Sequence, residues 1–275
     1  MSIPIVETFF ALQGEGDRMG TPSVFVRLGG CTLTCKGFGC IEKSPIDNSN
    51  ITGCDSIHAV SVKHFKHTWK YLDSGLNLIQ LINENICTTP NGNSEKVDIV
   101  FTGGEPLIHH KDSVLLDTLE YFISRGHKIY FETNGTVDID FHLYDIYKKV
   151  SFSMSVKMSN SGEELHKRWK PEVVNNYLRN TSGSYFKFVL SEKSIESNST
   201  EIFDFLKQVP TFGIVYCMPL GETMGELESN AKAVYEYCLT HGFRYSDRLH
   251  IRIYNNLRGV WWKYKWAMMS LKKYV

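Results

Sequence analysis

The sequence predicts an α/β fold with mainly parallel strands. Short β-branched and aromatic runs alternate with helical patterns, polar residues recur just past the ends of those runs, and 275 residues suit one domain with a sizeable core. Ser23 to Leu28 (SVFVRL), Asp98 to Thr102 (DIVFT), Lys128 to Glu132 (KIYFE), Val150 to Val156, Tyr185 to Leu190 (YFKFVL), Gly213 to Met218 (GIVYCM) and Leu249 to Tyr254 (LHIRIY) each read as a strand. Helical patterns occupy Ser113 to Ser124, Glu201 to Gln208 and Glu226 to Thr240. Such alternation implies βαβ units with right-handed crossovers. Lys36 to Gly53 and Thr88 to Lys96, rich in Gly, Ser, Pro and Asn, read as loops. The basic and aromatic residues 258–275 read as a C-terminal extension docked on a single domain spanning 1–275.

Lysine plus arginine balance aspartate plus glutamate at 30 each, so no summed field favours a nucleic-acid partner, and a small-molecule substrate fits better. No apolar run approaches the roughly 20 residues that span a bilayer, and MSIPIVETFF lacks the blocks of a signal peptide. A soluble, cytoplasmic protein with no membrane partner is expected. Seven cysteines, an odd number, then argue for thiols or metal ligands over a disulfide framework.

Cys31 and Cys35 in GGCTLTC follow the first strand and fall in a loop at its C-terminal end. Three thiolates with one open position suit a cluster that must also bind a substrate. Cys54, in GCDS, is favoured as the third ligand over Cys40 on spacing and context. In FTGGEP, Gly103 and Gly104 permit close backbone approach, and Glu105 offers a carboxylate to a charged amino group. Thr133 and Asn134 in FETNGT, Ser155 and Lys157 in SMSVKMSNSG, and Pro219 in YCMPLG sit at or beyond later strand ends. In a parallel β/α fold those ends share one face, where ligands bind. Upstream, Gln13 and Glu15 in ALQGEG, with Arg27, come near the cysteine loop; an amide beside a carboxylate reads ring donors and acceptors, and an arginine fork suits a carboxylate or flat heterocycle.

Taken together, ETFFALQGEG, SVFVRLGGCTLTC, GCDS, FTGGEP, FETNGT and MPLG resemble the 7-carboxy-7-deazaguanine synthases, radical S-adenosylmethionine enzymes of the queuosine and deazapurine pathway. The resemblance runs from about Ile5 to Val260. It implies a partial, open TIM-like β/α barrel of the radical S-adenosylmethionine type. It also implies a [4Fe–4S] cluster on Cys31, Cys35 and Cys54, with Cys40 the alternative third ligand. S-adenosylmethionine would be held by Gly103, Gly104, Glu105, Thr133, Asn134, Ser155, Lys157 and Pro219, and Mg2+ by Ser56. The substrate implied is 6-carboxy-5,6,7,8-tetrahydropterin, bound by Gln13, Glu15 and Arg27 and turned into 7-carboxy-7-deazaguanine by hydrogen abstraction, ring contraction and ammonia loss. No side chain is catalytic beyond the cofactor-generated radical, and an electron donor such as flavodoxin and a homodimer complete the picture.

Two departures from the family stand out. Residues 36–53 split its short cysteine motif, which is why Cys54 inherits the third ligand. Near RLHIRIYNNLRG, Tyr254 stands where the usual members carry a histidine, so His250 or Arg252 is expected to compensate at the substrate carboxylate. Two rivals share some of these features: another radical S-adenosylmethionine enzyme such as a glycyl-radical activase, and a non-catalytic zinc-stabilised binding module.

Overall fold

The computed structural model describes residues 2–86, 96–211 and 213–257 of the chain. Its strands are β1 (Ile3–Leu12), β2 (Pro22–Leu28), β3 (Cys40–Lys43), β4 (Asn50–Gly53), β5 (Lys70–Leu72), β6 (Asp98–Gly103), β7 (Ile129–Thr133), β8 (Ser151–Met154), β9 (Tyr185–Leu190), β10 (Ile214–Pro219) and β11 (Arg244–Tyr245). The helices are α1 (Ile57–Val60), α2 (Val62–Phe65), α3 (Gly75–Asn85), α4 (Ser113–Ser124), α5 (Leu165–Arg168), α6 (Pro171–Asn180), α7 (Ile195–Lys207), α8 (Met224–His241) and α9 (Leu249–Tyr254).

Nine strands form one sheet in the order β11-β10-β9-β8-β7-β6-β2-β1-β5. From β2 to β11 every neighbouring pair is parallel. At the other end β1 runs antiparallel to both β2 and β5. The sheet is therefore open, with β5 and β11 at its edges. Local side-chain caps set where two of the longer helices begin. Asp112 accepts from the Val114 N–H at 2.9 Å to start α4, and Thr223 with Glu226 forms a reciprocal cap at the start of α8.

Period-two alternation divides the sheet into two chemically different faces. Ile99, Phe101, Ile129, Phe131, Phe152, Met154, Phe186 and Phe188 point into the main core, where Leu78, Leu119, Tyr177, Phe205 and Val234 of the helices meet them. Their sequence neighbours Thr102, Glu132, Ser153 and Lys187 lie on the opposite face. Near the lower edge of that second face Ala11, Phe25, Val100 and Tyr130 form a small apolar cluster. Helices thus cover one face, and polar side chains line the other.

Three expectations change. Leu249–Tyr254 is the helix α9, not a strand. Instead of adding to the sheet edge at β11, the segment bonds to itself, with the Ile251 and Arg252 N–H groups donating to the Arg248 carbonyl. Only Ile251 of its apolar residues is buried, whereas Ile253 is 60 % exposed. The segment 36–53 is not a plain loop, since β3 and β4 pair as a separate hairpin in which Cys40 faces Gly53. β1, β5 and α3 were passed over, and α7 begins at Ile195 rather than Glu201. Most of the loop expected at Thr88 to Lys96, and the extension expected at 258–275, lie outside the described residues.

Phe152, fully buried, stacks on Tyr177 with ring centroids 4.4 Å apart and meets Phe131 and Phe141 at 5.9 and 6.3 Å. Phe152→Ala is expected to cost about 3–5 kcal/mol through lost burial and the cavity left behind, read as a lowered urea midpoint with unchanged slope.

Candidate active site

The cysteine loop leaves β2 and is fixed by backbone groups before any ligand is considered. The Gly30 N–H donates to the Ala59 carbonyl at 2.7 Å, and the Gly30 carbonyl accepts from the Glu105 N–H at 2.9 Å. Gly103 and Gly104 allow this approach: a Cβ on Gly103 would lie 2.1 Å from the Leu28 carbonyl oxygen, and one on Gly104 2.2 Å from that of Gly30. The glycines expected to face a cofactor are thus required first by the packing of one strand end on another.

Cys31, Cys35 and Cys54 converge on this loop. Burial, with Glu105 and the neighbouring thiols adding to it, pushes the Cys31 thiol up to about 12. Burial does the same to Cys35, opposed by Lys157 and reinforced by Cys54, and it raises Cys54 as well. Three thiols, Cys35 buried and Cys31 and Cys54 half-buried, that disfavour each other's ionisation are a donor set that a cationic group would relieve, and its binding would expel their protons. Cys40 pairs with Glu222, and burial and that bond raise its thiol. The β3–β4 hairpin carries the chain back so that Cys54 follows the residue opposite Cys40. Among the described residues no three His, Cys, Asp or Glu side chains are gathered to hold a single metal ion. A cluster, whose thiolates bond different irons, does not require that.

Glu105 is the centre of the strand-end groups. It has no exposed surface. Its Oε1 accepts from the Leu107 N–H at 3.1 Å and the Thr133 hydroxyl at 2.8 Å, and its Oε2 from the Asn134 N–H at 2.7 Å. Burial nonetheless carries its carboxyl up to about 7, against the opposing pull of these bonds. Asn134 Nδ2 reaches the Thr32 hydroxyl at 3.0 Å, which links this group to the cysteine loop. The Ser155 N–H donates to the Thr133 carbonyl at 2.7 Å, and Lys157 Nζ to the Ser155 hydroxyl at 3.0 Å. Pro219 ends β10 at the same side of the sheet, opposite Leu190, without a bond to this group.

A second polar group occupies the uncovered sheet face. Glu15 Oε2 lies 2.6 Å from Lys187 Nζ, and its Oε1 lies 3.0 Å from Arg248 Nε. Burial would raise this carboxyl, but the two cations hold it well below the usual range. Arg248 also donates to the Gly221 carbonyl at 2.7 Å and to Asp55 at 3.1 Å. Gln13 Nε2 meets Glu132 Oε1 at 3.3 Å, and the Thr102 hydroxyl donates to Glu132 Oε2 at 2.9 Å. Arg27 is 2.6 Å from Glu7 and 3.2 Å from the Ser56 hydroxyl. His250 stands against Gly14, where a Cβ would fall 2.3 Å from its Nδ1. Arg252 pairs instead with Asp247 at 2.9 Å, and Tyr254 ends α9.

Sequence reasoning passed over Glu132, Lys187, Arg248 and Asp55. Alternation held the signal for the first two, because a charged residue between core aromatics in YFET and YFKF must point to the uncovered face. Arg248 carries no such signal, since it caps a helix that was read as a strand.

Residues 12–177 match the model of the 4Fe-4S single cluster domain family. The 7-carboxy-7-deazaguanine synthase of Halobacterium salinarum is 30 % identical, covering 93 % of this chain and 91 % of the relative. That of Hyperthermus butylicus is 30 % identical over 90 % and 92 %, and that of Pyrobaculum aerophilum 27 % over 94 % and 97 %. The crystal structure of QueE from Escherichia coli shares the fold, with a TM-score of 0.58 and 22 % identity over 91 % of this chain and 95 % of that one.

The raised Glu105 carboxyl has a consequence for the ligand-free chain. Its contribution is fully present below its unfolded value of 4.5 and is lost as pH rises through about 7. Glu105→Gln cannot titrate, so the parent should lose about 3 kcal/mol relative to the variant between those limits. Urea unfolding of both proteins across that range measures the difference; parallel curves would show that Glu105 stays ionised.

Proposed function

The chain belongs to the 7-carboxy-7-deazaguanine synthase family, and from that membership we propose that it converts 6-carboxy-5,6,7,8-tetrahydropterin into 7-carboxy-7-deazaguanine, as a lyase that releases ammonia. It is a radical S-adenosylmethionine enzyme with an iron–sulfur domain. The observation that carries the substrate assignment is the buried Glu15, with both oxygens ion-paired, on the sheet face next to the cysteine loop. A carboxylate kept charged in this way, beside the amide of Gln13, presents fixed acceptors and donors to a flat aminated heterocycle.

Cys31, Cys35 and Cys54 would hold the [4Fe–4S] cluster; Cys40, already paired with Glu222, is the lesser candidate. Gly103, Gly104, Glu105, Thr133, Asn134, Ser155, Lys157 and Pro219 would line the S-adenosylmethionine site. Of the roughly four acceptor positions of a carboxylate, Glu105 uses three on Leu107, Thr133 and Asn134, which leaves one on Oε2 for an ammonium. When bound, cluster and S-adenosylmethionine would supply radical chemistry for hydrogen abstraction at carbon 6 of the pterin. The protein's part is to orient that carbon and exclude water, and no side chain need take a proton for the first step.

Arg27 is assigned to the substrate carboxylate and Ser56 to Mg2+. Their hydrogen bond to each other supports a shared position, since a carboxylate that met the guanidinium would also meet a cation on the hydroxyl. His250 packs within the Glu15 group and is the better placed of the two compensating residues, because Arg252 is engaged by Asp247. The queuosine pathway, a flavodoxin-like electron donor, a homodimer and a cytoplasmic site complete the proposal. No helix among the described residues is long and apolar enough to cross a membrane.

Cluster reconstitution followed by mass spectrometry of products from the pterin acid tests the reaction. Cys54→Ala is expected to lose iron and sulfide and Cys40→Ala to keep them; the reverse pattern exchanges their roles. Arg27→Ala is expected to lose at least about 1.5–3 kcal/mol of kcat/KM for ring contraction, the worth of a charged hydrogen bond, while S-adenosylmethionine cleavage persists. Turnover of the parent should rise with magnesium, and Ser56→Ala should blunt that rise. Normal pterin kinetics in Arg27→Ala would refute the substrate assignment while leaving the cluster assignment standing.

A further inference from the structure

The cysteine loop is gripped from outside the site by a carboxylate with no role in the reading above. Glu163 lies in the segment between β8 and α5. Its Oε1 accepts from the Thr34 N–H at 2.6 Å, the Thr34 hydroxyl at 2.7 Å and the Cys35 N–H at 2.6 Å. Cys35 has a φ of 49°, in the left-handed region, which strains a non-glycine residue and persists only when its surroundings enforce it.

Glu163 is itself anchored. Its carbonyl accepts from Arg168 Nε at 3.1 Å. Arg168, only 5 % exposed, also donates to the Lys157 carbonyl at 3.0 Å and pairs with Glu201 at 2.5 Å. Glu201 in turn accepts from the Ser159 N–H at 2.7 Å. The short turns Lys36–Phe38 and Ser159–Ser161 press together, and a Cβ on Gly37 would lie 2.4 Å from the Asn160 carbonyl oxygen and 2.6 Å from the Gly162 nitrogen. One buried guanidinium therefore shapes the segment that supplies both Lys157 and Glu163.

The insert explains why such a grip is needed. Residues 36–53 separate Cys35 from Cys54, so the chain between them is too long to orient one thiol against the other, and closing it costs entropy. We infer that Glu163 is a positioning residue of the cluster site, locking the Thr34–Cys35 backbone so that the Cys35 thiol faces Cys31 and Cys54, and withholding two amide donors from the cluster's sulfur. It rests on the assignment of these three cysteines as cluster ligands. A carboxylate beside the loop and the loss of amide donors both disfavour the extra negative charge of a reduced cluster.

Glu163→Gln keeps an acceptor oxygen and removes the charge, whereas Glu163→Ala removes both. In the reconstituted protein, Glu163→Ala is expected to lose iron to a chelator about tenfold faster than the parent, in line with outer-shell variants of metal sites. Glu163→Gln should retain its iron near the parental rate but show a more positive reduction potential, which a merely structural role would not move. Glu164→Ala, at an exposed neighbour, serves as control and should match the parent in both. A parental extraction rate in Glu163→Ala, or a parental potential in Glu163→Gln, overturns the inference. Should the parent bind no cluster, the ligand assignment fails, and alkylation of Cys35 in the metal-free chain decides for the grip itself: Glu163→Ala must react faster than the parent, and an equal rate refutes it.

Discussion

The carboxylate of Glu105 is the constraint on which the strand ends depend. Completely removed from solvent, it gathers the Leu107 and Asn134 amides and the Thr133 hydroxyl onto one group, while its own N–H is spent on the Gly30 carbonyl. In consequence the ends of β2, β6 and β7 are held at one spacing, and the cysteine loop begins from a fixed point. Removing such an acceptor would strand buried donors, each at a cost of about 1–3 kcal/mol. The two glycines before it are the steric condition for that arrangement, because a Cβ on Gly103 would enter the β2 backbone and one on Gly104 the cysteine loop.

Around this centre the fold separates tasks by face. Helices cover the apolar face of the sheet, and the packing of Phe131, Phe152 and Tyr177 makes that half rigid. The opposite face is free to carry charge because the sheet stays open, and there the cost of burying Glu15 is offset by Lys187 and Arg248 together. One member of that group comes from the chain's first long strand region, one from the middle of the sheet and one from beyond its last strand. The parallel strands bring Lys187 and Arg248 together, and the connection of the antiparallel pair β1–β2 brings Glu15 to them.

The cysteine loop draws on the segments that follow two neighbouring strands. Asn134 reaches its Thr32 from the strand-end group, and Glu163 holds Thr34 and Cys35 from the segment after β8. Lys157 sits between, close enough to oppose the burial that suppresses ionisation of Cys35 and Cys54. A chain with an insert between two of its three thiols thus gains from tertiary bonds the order that a short spacing would supply.

The sequence by itself determined the alternating α/β plan, the strands from Ser23, Asp98, Lys128, Tyr185 and Gly213, and the family motifs at their ends. Each of those signals is local: period-two patterns, glycine turns and cysteine spacing are written in consecutive residues. It did not disclose that LHIRIY coils into α9, for a six-residue apolar run fits either state and only its tertiary surroundings choose between them. Nor did it single out Lys187, Arg248 or Glu163, which lie 172, 233 and 128 residues from the groups they bind. Ion pairs and hydrogen bonds act over a few ångströms in space without regard to distance along the chain, so only the folded sheet could decide which charges meet.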